Sequence, residues 1–228
     1  MSAAEIAIVW LSLKVAICAT LFSLPFALGT AWLLARGRFF GKSALNIFVH
    51  LPLVLPPVVT GYALLLLFGK QGVIGGFLDD AFGVTLAFRW TGAALAAAVM
   101  GFPLMVRAIR LGYEGVDQGL EQAAATLGAP KRAVFWSVTL PLISPGILAG
   151  VVLGFAKAMG EFGATITFVA SIPGQSETLP SAIYTLLQVP GGESAALRLI
   201  AISVVISVAA LALSEVLAQR AIKRVSGR

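Results

Sequence analysis

Long uncharged stretches alternate with short charged ones along the whole chain. The uncharged stretches cover residues 15–35, 43–69, 90–106, 133–156 and 199–214. A helix of about 20 apolar residues crosses the hydrocarbon core of a bilayer. The pattern therefore predicts an all-α membrane protein with about five transmembrane helices. The third and fifth are short enough that we expect flanking residues to help them reach the interfaces.

A sixth apolar segment leaves the number of spans open. Residues 178–192 are apolar on average but contain Pro180 and Pro190. Because proline removes a backbone donor and interrupts a helix, this segment is either a re-entrant or surface helix or a sixth span.

The composition supports a membrane protein and excludes several other classes. Hydrophobic residues make up 59% of the chain and charged residues 11%, against about 25% charged in a soluble domain. The net charge of +6 lies in short clusters between apolar runs, so no nucleic-acid partner is expected. With one cysteine and one histidine, we predict no metal site and no catalytic residues. We expect one membrane domain over residues 1–228, embedded in lipid.

The distribution of lysine and arginine predicts the orientation. Eleven of these residues lie in the loops after the first and third spans and in the C-terminal tail, and five lie on the other side. Positively charged loops stay in the cytoplasm. The N-terminus is therefore predicted outside and the C-terminus inside the cytoplasmic membrane.

The loop between the third and fourth spans, about residues 107–132, contains a short helical pattern. Asp117 is placed to cap a helix, and Gly128 followed by Pro130 is placed to end it. Apolar residues at i, i+3, i+4 and i+7 spacing indicate one small-residue face, formed by Leu120, Ala123, Ala124 and Leu127. The pattern predicts a cytoplasmic helix of about ten residues, either an ordinary surface helix or a docking helix.

A wider motif favours docking. Ala123-Ala124, Gly128 and Val138-x-Leu140-Pro141 resemble the signature of permeases from binding-protein-dependent ABC importers. Gln122 stands where that family usually has Glu, and the nearest carboxylate, Glu121, is one position early. This difference from the family signature puts a Glu-specific contact in doubt, but it does not affect the prediction of the helix.

The resemblance implies an ABC importer permease fold in which this segment is the coupling helix. It implies a homodimer, two cytoplasmic ATP-binding subunits that use ATP-Mg, and an external oxyanion-binding protein, periplasmic or lipid-anchored. The chain has no Gly-x-x-x-x-Gly-Lys-Ser/Thr loop, so we expect it to bind no cofactor and a partner to hydrolyse the ATP. The residues expected to couple to that partner are Asp117, Leu120, Glu121, Gln122, Ala123, Ala124, Leu127, Gly128, Leu140 and Pro141.

Further segments narrow the resemblance to the molybdate permeases, with the sulfate permeases as near relatives. They are residues 50–59 (HLPLVLPPVV), 102–110 (FPLMVRAIR) and 160–168 (GEFGATITF). The implied cargo is molybdate, or tungstate as a similar oxyanion. Physical reasoning leaves a sulfate or thiosulfate permease open. A secondary transporter driven by an ion gradient is less favoured, because repeats and midplane carboxylates are missing.

Six residues are candidates for the translocation pathway: Pro56, Pro57, Lys157, Glu161, Thr165 and Thr167. The prolines interrupt the second span, and broken helices at membrane depth either line a cavity or are buried in protein. Lys157 and Glu161, at i, i+4 spacing, either shape the pathway mouth or form a helix-end ion pair. The threonines either line an anion path or bond back to their own helix.

Overall fold

A computed structural model describes residues 2–225, with side chains for all of these except 214, 215 and 217–225. Within this part of the chain the secondary structure is helical and contains no strand. The elements are α1 (Ala3–Arg36), α2 (Lys42–Val54), α3 (Pro57–Phe68), α4 (Val73–Phe82), α5 (Trp90–Glu114), α6 (Gln118–Thr126), α7 (Lys131–Val134), a π-helical turn (Phe135–Thr139), α8 (Leu140–Met159), α9 (Gly163–Val169), α10 (Leu179–Leu187) and α11 (Glu193–Val225).

Four helices are long and apolar enough to cross a membrane, or five if a bent pair counts as one span. They are α1, α5, the continuous helix Lys131–Met159, and residues Glu193–Leu213 of α11. The count agrees with the prediction of about five spans, and it reaches five if the bent pair crosses the membrane. The expectation that the third and fifth spans are short was wrong, because α5 continues for two turns beyond Val106 and α11 begins at Glu193.

The second predicted span is broken. The helix axis bends by 113° between α2 and α3. Leu55 and Pro56 have extended backbone between them. Pro57 stands at the first position of α3, where its missing N–H costs nothing. The pair is either a broken span or a re-entrant loop, so residues 43–69 do not form one straight crossing.

The weaker apolar segment is not a sixth span. Within it, α10 has nine residues, Leu179–Leu187, which is about 14 Å of helix against a hydrocarbon core of about 30 Å. Its Leu179 and Ala182 pack with Leu199 of α11. In addition, Leu179 N–H donates to Ser12 Oγ of α1 at 2.7 Å.

Small residues let the central helices approach closely. An added Cβ at Gly101 would lie 3.3 Å from the Gly154 carbonyl oxygen, and one at Gly146 would lie 3.0 Å from Gly112 Cα. Helices α5 and α8 are therefore in near backbone contact along their length, the packing that small residues permit in membranes. Helix α1 covers the other side of α5, with Ala16 and Ala31 fully buried.

The C-terminal tail carries several of the basic residues that predict the orientation. Arg228 lies outside the described residues, and the side chains of Arg220, Lys223 and Arg224 are outside them too. The predicted positions of the two termini remain a prediction.

Candidate coupling and translocation sites

The loop that carries the predicted docking helix is shorter than the sequence indicated. Because α5 runs to Glu114, Arg107 and Arg110 lie on a helix and not in the loop. Arg110 Nε donates to Glu114 Oε1 at 2.7 Å, and its Nη1 donates to Asn46 Oδ1 at 3.1 Å. The irregular connection therefore starts at residue 115, and the basic pair before it belongs to the end of the third span.

The predicted helix is present as α6, nine residues long, with both predicted caps. Asp117 Oδ1 accepts a hydrogen bond from Gly119 N–H at 2.8 Å, which satisfies an otherwise free donor of the first turn. At the other end, Gly128 has φ +84°. Gly128 N–H donates to Ala125 O, and Ala129 N–H donates to Ala124 O, which is the hydrogen-bond pair of a Schellman cap. The signature glycine is thus required by a left-handed backbone.

Helix α6 has two different faces. Gln118, Glu121, Gln122 and Ala125 line a cavity under the membrane helices. The predicted apolar face points away: Leu120 is 51% exposed and Leu127 88% exposed. Ala123 is also exposed, and Ala124 is half-buried. No residue of α6 is fully buried, so its apolar residues contribute little to the packing of this chain.

Glu121 fastens α6 to the membrane helices. Its Oε1 accepts a hydrogen bond from Thr139 Oγ1 at 2.6 Å, and its Oε2 lies 3.4 Å from Arg36 Nη2 at the end of α1. Gln122, which occupies the family's usual Glu position, has an exposed side chain. Sequence reasoning missed Arg36 and Thr139, because nothing in the local pattern indicates that residues so far apart in the chain meet.

The fourth span begins with an irregular turn beside α6. Helix α7, the π-helical turn Phe135–Thr139 and α8 form one continuous helix, and π turns of this kind are frequent at functional sites. Leu140 packs against the core cluster around Ile143, while Pro141 is exposed. Of these two signature residues, one therefore stabilises the junction between α6 and the membrane helices and the other faces outward.

Lys157 and Glu161 form an ion pair at the end of α8. Lys157 Nζ donates to Glu161 Oε2 at 2.5 Å, and the Glu161 side chain is 1% exposed. The other oxygen, Oε1, accepts from Ala164 N–H at 3.0 Å. One carboxylate therefore both neutralises the lysine and caps the first turn of α9. The predicted pairing of these residues is confirmed, and their place in a pathway remains a prediction.

The other pathway candidates lie close to this junction. Helix α9 packs on α3 so closely that a Cβ added at Gly163 would lie 2.7 Å from Pro57 Cβ. Pro56 and Pro57 are exposed. Thr167 Oγ1 donates to Gly163 O at 2.8 Å, so this hydroxyl bonds back to its own helix. Thr165 is buried, so the two threonines do not form one exposed polar surface.

A family model described as "Binding-protein-dependent transport system inner membrane component" matches residues 15–223. The chain belongs to this family. Membership confirms the resemblance inferred from the α6 signature and makes the chain a multi-pass inner-membrane transport component. It also weighs against the secondary transporter that the sequence left open.

Three curated relatives of this chain are named for the substance that they transport. The chain is 61% identical over 211 residues to the molybdenum transport system permease protein ModB of Escherichia coli (strain K12), covering 92% of each. It is 53% identical to the Haemophilus influenzae protein of the same name, covering 96% of each. It is 37% identical to the sulfate transport system permease protein CysT of Salmonella typhimurium, covering 78% of this chain and 64% of that one.

Two solved structures have the same fold. A bacterial ABC transporter for import of the acidic polysaccharide alginate matches with a TM-score of 0.76 at 16% identity, covering 96% of this chain and 80% of that one. The MetNI methionine ABC transporter in inward-facing form matches with a TM-score of 0.73 at 14% identity, covering 97% and 99%. The predicted ABC importer permease fold is therefore confirmed.

Proposed function

We propose that this chain is the membrane-spanning permease subunit of an ATP-driven importer for molybdate, with tungstate as a second cargo of similar charge and shape. The observation that carries the cargo is near full-length identity of 53% to 61% to relatives named for molybdenum. The relative named for sulfate shares 37% over a shorter stretch, which favours molybdate over sulfate or thiosulfate.

The coupling part of the proposal rests on α6. Its Leu120 and Leu127 side chains are exposed on a helix that is capped at both ends and held by Glu121. Fully burying a leucine side chain contributes about 1.5–3 kcal/mol of favourable free energy. A partner protein whose groove covers this face therefore gains binding affinity, and α6 does not have to change its conformation. We assign this face to two separate cytoplasmic ATPase subunits, which hold the ATP-Mg, while this chain binds no cofactor.

The rest of the assembly follows from this coupling. Two copies of the chain, each a single membrane domain, pair around a central pathway that the exposed bend at Pro56 and Pro57 helps to line. The N-terminus is outside and the C-terminus is cytoplasmic. An external oxyanion-binding protein supplies the selectivity, because a pathway that held its cargo tightly would not release it. ATP binding shifts the pair between inward-facing and outward-facing states.

Cargo is tested by uptake into vesicles containing the chain, its ATPase partner and the external binding protein. Radiolabelled molybdate should accumulate only with ATP inside, and unlabelled tungstate should compete strongly while sulfate competes weakly. Sulfate competing as well as molybdate would contradict the assigned cargo. Accumulation without the ATPase subunit would contradict the coupling mechanism.

Coupling is tested at Gly128. No heavy atom lies within 4 Å of a Cβ added at Gly128, but the backbone φ is +84°. A substitution there therefore has two effects, backbone strain and added bulk, and the experiment must distinguish them. Gly128→Asn is the matched control, because asparagine tolerates the left-handed region. We expect Gly128→Asn to retain most transport, and Gly128→Trp to insert normally but lose transport while ATP hydrolysis becomes independent of cargo. Normal transport by Gly128→Trp would exclude docking at this cap.

A further inference from the structure

A cavity of about 1020 Å³ lies between the end of α1, the loop that follows it, α6 and α7. Four basic residues line it: Arg36, Arg38, Lys42 and Lys131. Glu121 is the one carboxylate among its lining residues. Two segments far apart in the chain, residues 36–42 and Lys131, thus contribute positive charge to one concave space.

These cations are only partly neutralised by the protein. Arg36 has a side chain 17% exposed, and its Nη2 is buried without a hydrogen-bond partner among the described residues. The nearest carboxylate oxygen, Glu121 Oε2, is 3.4 Å away. Lys42 Nζ donates one bond, to Gly37 O at 3.1 Å. A buried guanidinium nitrogen with no acceptor costs free energy, so the cavity is suited to an anion with several oxygens.

The residues that line and flank the cavity are of the kind expected at the depth of lipid headgroups. The apolar run of α1 ends at Ala35, directly before Arg36. Trp32, in the cavity wall one turn earlier, is 49% exposed, as is typical of aromatic residues at a membrane interface. Beyond the helix, Phe39 and Phe40 are 41% and 106% exposed. Apolar surface therefore continues from both sides of the basic cavity toward the bilayer.

We propose that this cavity binds the phosphate of an anionic phospholipid. Basic pockets between membrane helices bind such headgroups. Here the acyl chains would lie along the exposed apolar side of α1 that carries Trp32 and Leu33. A free oxyanion would gain the charge interaction without that apolar contact, so the lipid is the favoured source of the phosphate.

The position lets the lipid act on coupling, a consequence that rests on the proposed function of α6. Arg36 is shared between the cavity and Glu121. A headgroup phosphate bound to Arg36 competes with Glu121 and leaves Thr139 as that carboxylate's remaining anchor. The lipid would therefore loosen one of the two contacts that hold α6.

The test is lipid retention by the full-length chain, purified from bacterial membranes in mild detergent and analysed by native mass spectrometry. Each Lys or Arg near an anionic lipid contributes about a fivefold factor in affinity. Arg38→Gln/Lys42→Gln should therefore retain phosphatidylglycerol about 25-fold more weakly than the wild type. Arg107→Gln/Arg132→Gln is the matched control, since it removes the same charge from exposed residues that do not line the cavity.

A charge-conserving variant, Arg38→Lys/Lys42→Arg, should restore retention and thereby exclude misfolding as the cause of the loss. Equal retention by the cavity variant and its control would overturn the proposal. Displacement of the lipid by millimolar inorganic phosphate or molybdate would overturn the assignment to lipid and favour a free oxyanion. Because retention needs neither ATP nor cargo, a failure of the proposed transport function would leave this result unchanged.

Discussion

The two ends of the helix Lys131–Met159 use a carboxylate in different ways. At its far end, Glu161 is buried, paired with Lys157 and bonded to the backbone of α9. At its near end, Glu121 is partly exposed and holds α6 through a hydroxyl and a distant guanidinium. The first carboxylate connects elements that pack tightly, while the second holds a helix with no buried residue of its own.

The difference separates groups that stabilise this chain from groups available to a partner. Around Glu161 the backbones of α3 and α9 nearly touch, and a shift of either helix disturbs the other. Around α6 the exposed leucines can be changed without affecting the core. We therefore expect variants at the α8–α9 junction to act on stability and variants on the outer face of α6 to act on assembly.

The largest effect is expected at Glu161. Glu161→Leu leaves Lys157 without its carboxylate and Ala164 N–H without an acceptor. Removing one partner of a buried pair lowers the free energy of unfolding by about 3–5 kcal/mol. Because the Lys157 side chain is 29% exposed and water solvates part of its charge, we expect a loss near the lower limit. Thermal unfolding in detergent should show a Tm lower by about 10 °C.

The double variant Lys157→Met/Glu161→Gln distinguishes a structural pair from a pathway residue. Methionine removes the charge that needed a partner, and glutamine retains an oxygen for Ala164 N–H, so most of the stability should return. Molybdate uptake by this stable variant then tests the pathway hypothesis directly. A double variant as unstable as Glu161→Leu would contradict the assignment of the cost to the unpaired lysine.

A smaller effect is expected where α3 meets α9. A Cβ at Gly61 would lie 2.8 Å from Ala164 Cα, so Gly61→Ala should push two backbones apart and cost about 1–3 kcal/mol. Gly29→Ala is the matched control in α1, since no heavy atom lies within 4 Å of a Cβ added there. That substitution should stabilise the helix by about 0.5–1 kcal/mol. If Gly61→Ala raised the Tm as Gly29→Ala does, the close packing of α3 on α9 would be contradicted.

Sequence reasoning found the features that depend on local pattern. The uncharged runs, the cap at Asp117, the glycine at position 128 and the i, i+4 pair of Lys157 and Glu161 are each set by residues a few positions apart. It missed the contacts set by the whole fold. Arg36, Thr139 and Glu121 meet only because α1 and α8 pack on α5, and the 113° turn between α2 and α3 needs more than the presence of prolines to predict.

On the outer face of α6 we expect an effect on partner binding with little effect on stability. Leu127→Asp should change the free energy of unfolding by less than about 0.5 kcal/mol, because the side chain is 88% exposed. If Leu127 enters a groove on the ATPase subunit, affinity should fall by about 2 kcal/mol, or about 30-fold. Affinity is measured by titrating the ATPase subunit onto the chain in nanodiscs.

The control for Leu127→Asp is Gln118→Glu. It adds the same charge to α6, but on the side that lines the cavity, so ATPase affinity should be retained. Equal losses from both variants would indicate a general charge effect and not a buried leucine. Unchanged affinity for Leu127→Asp would move the docking surface away from this face.

The smallest effect is expected at Glu177, in the loop between α9 and α10 and at the opposite end of α8 from α6. Burial raises the pKa of this carboxyl above its usual value, so the folded chain holds the proton more tightly than the unfolded one. The charged form therefore destabilises the fold above that raised pKa, and the penalty disappears as pH falls below the unfolded value. Glu177→Gln should raise the Tm at neutral pH by less than about 2 °C and leave it unchanged in acid. A gain that persisted at low pH would mean that the side-chain amide adds contacts of its own, and the loop would then resemble the tightly packed α8–α9 junction more than the exposed face of α6.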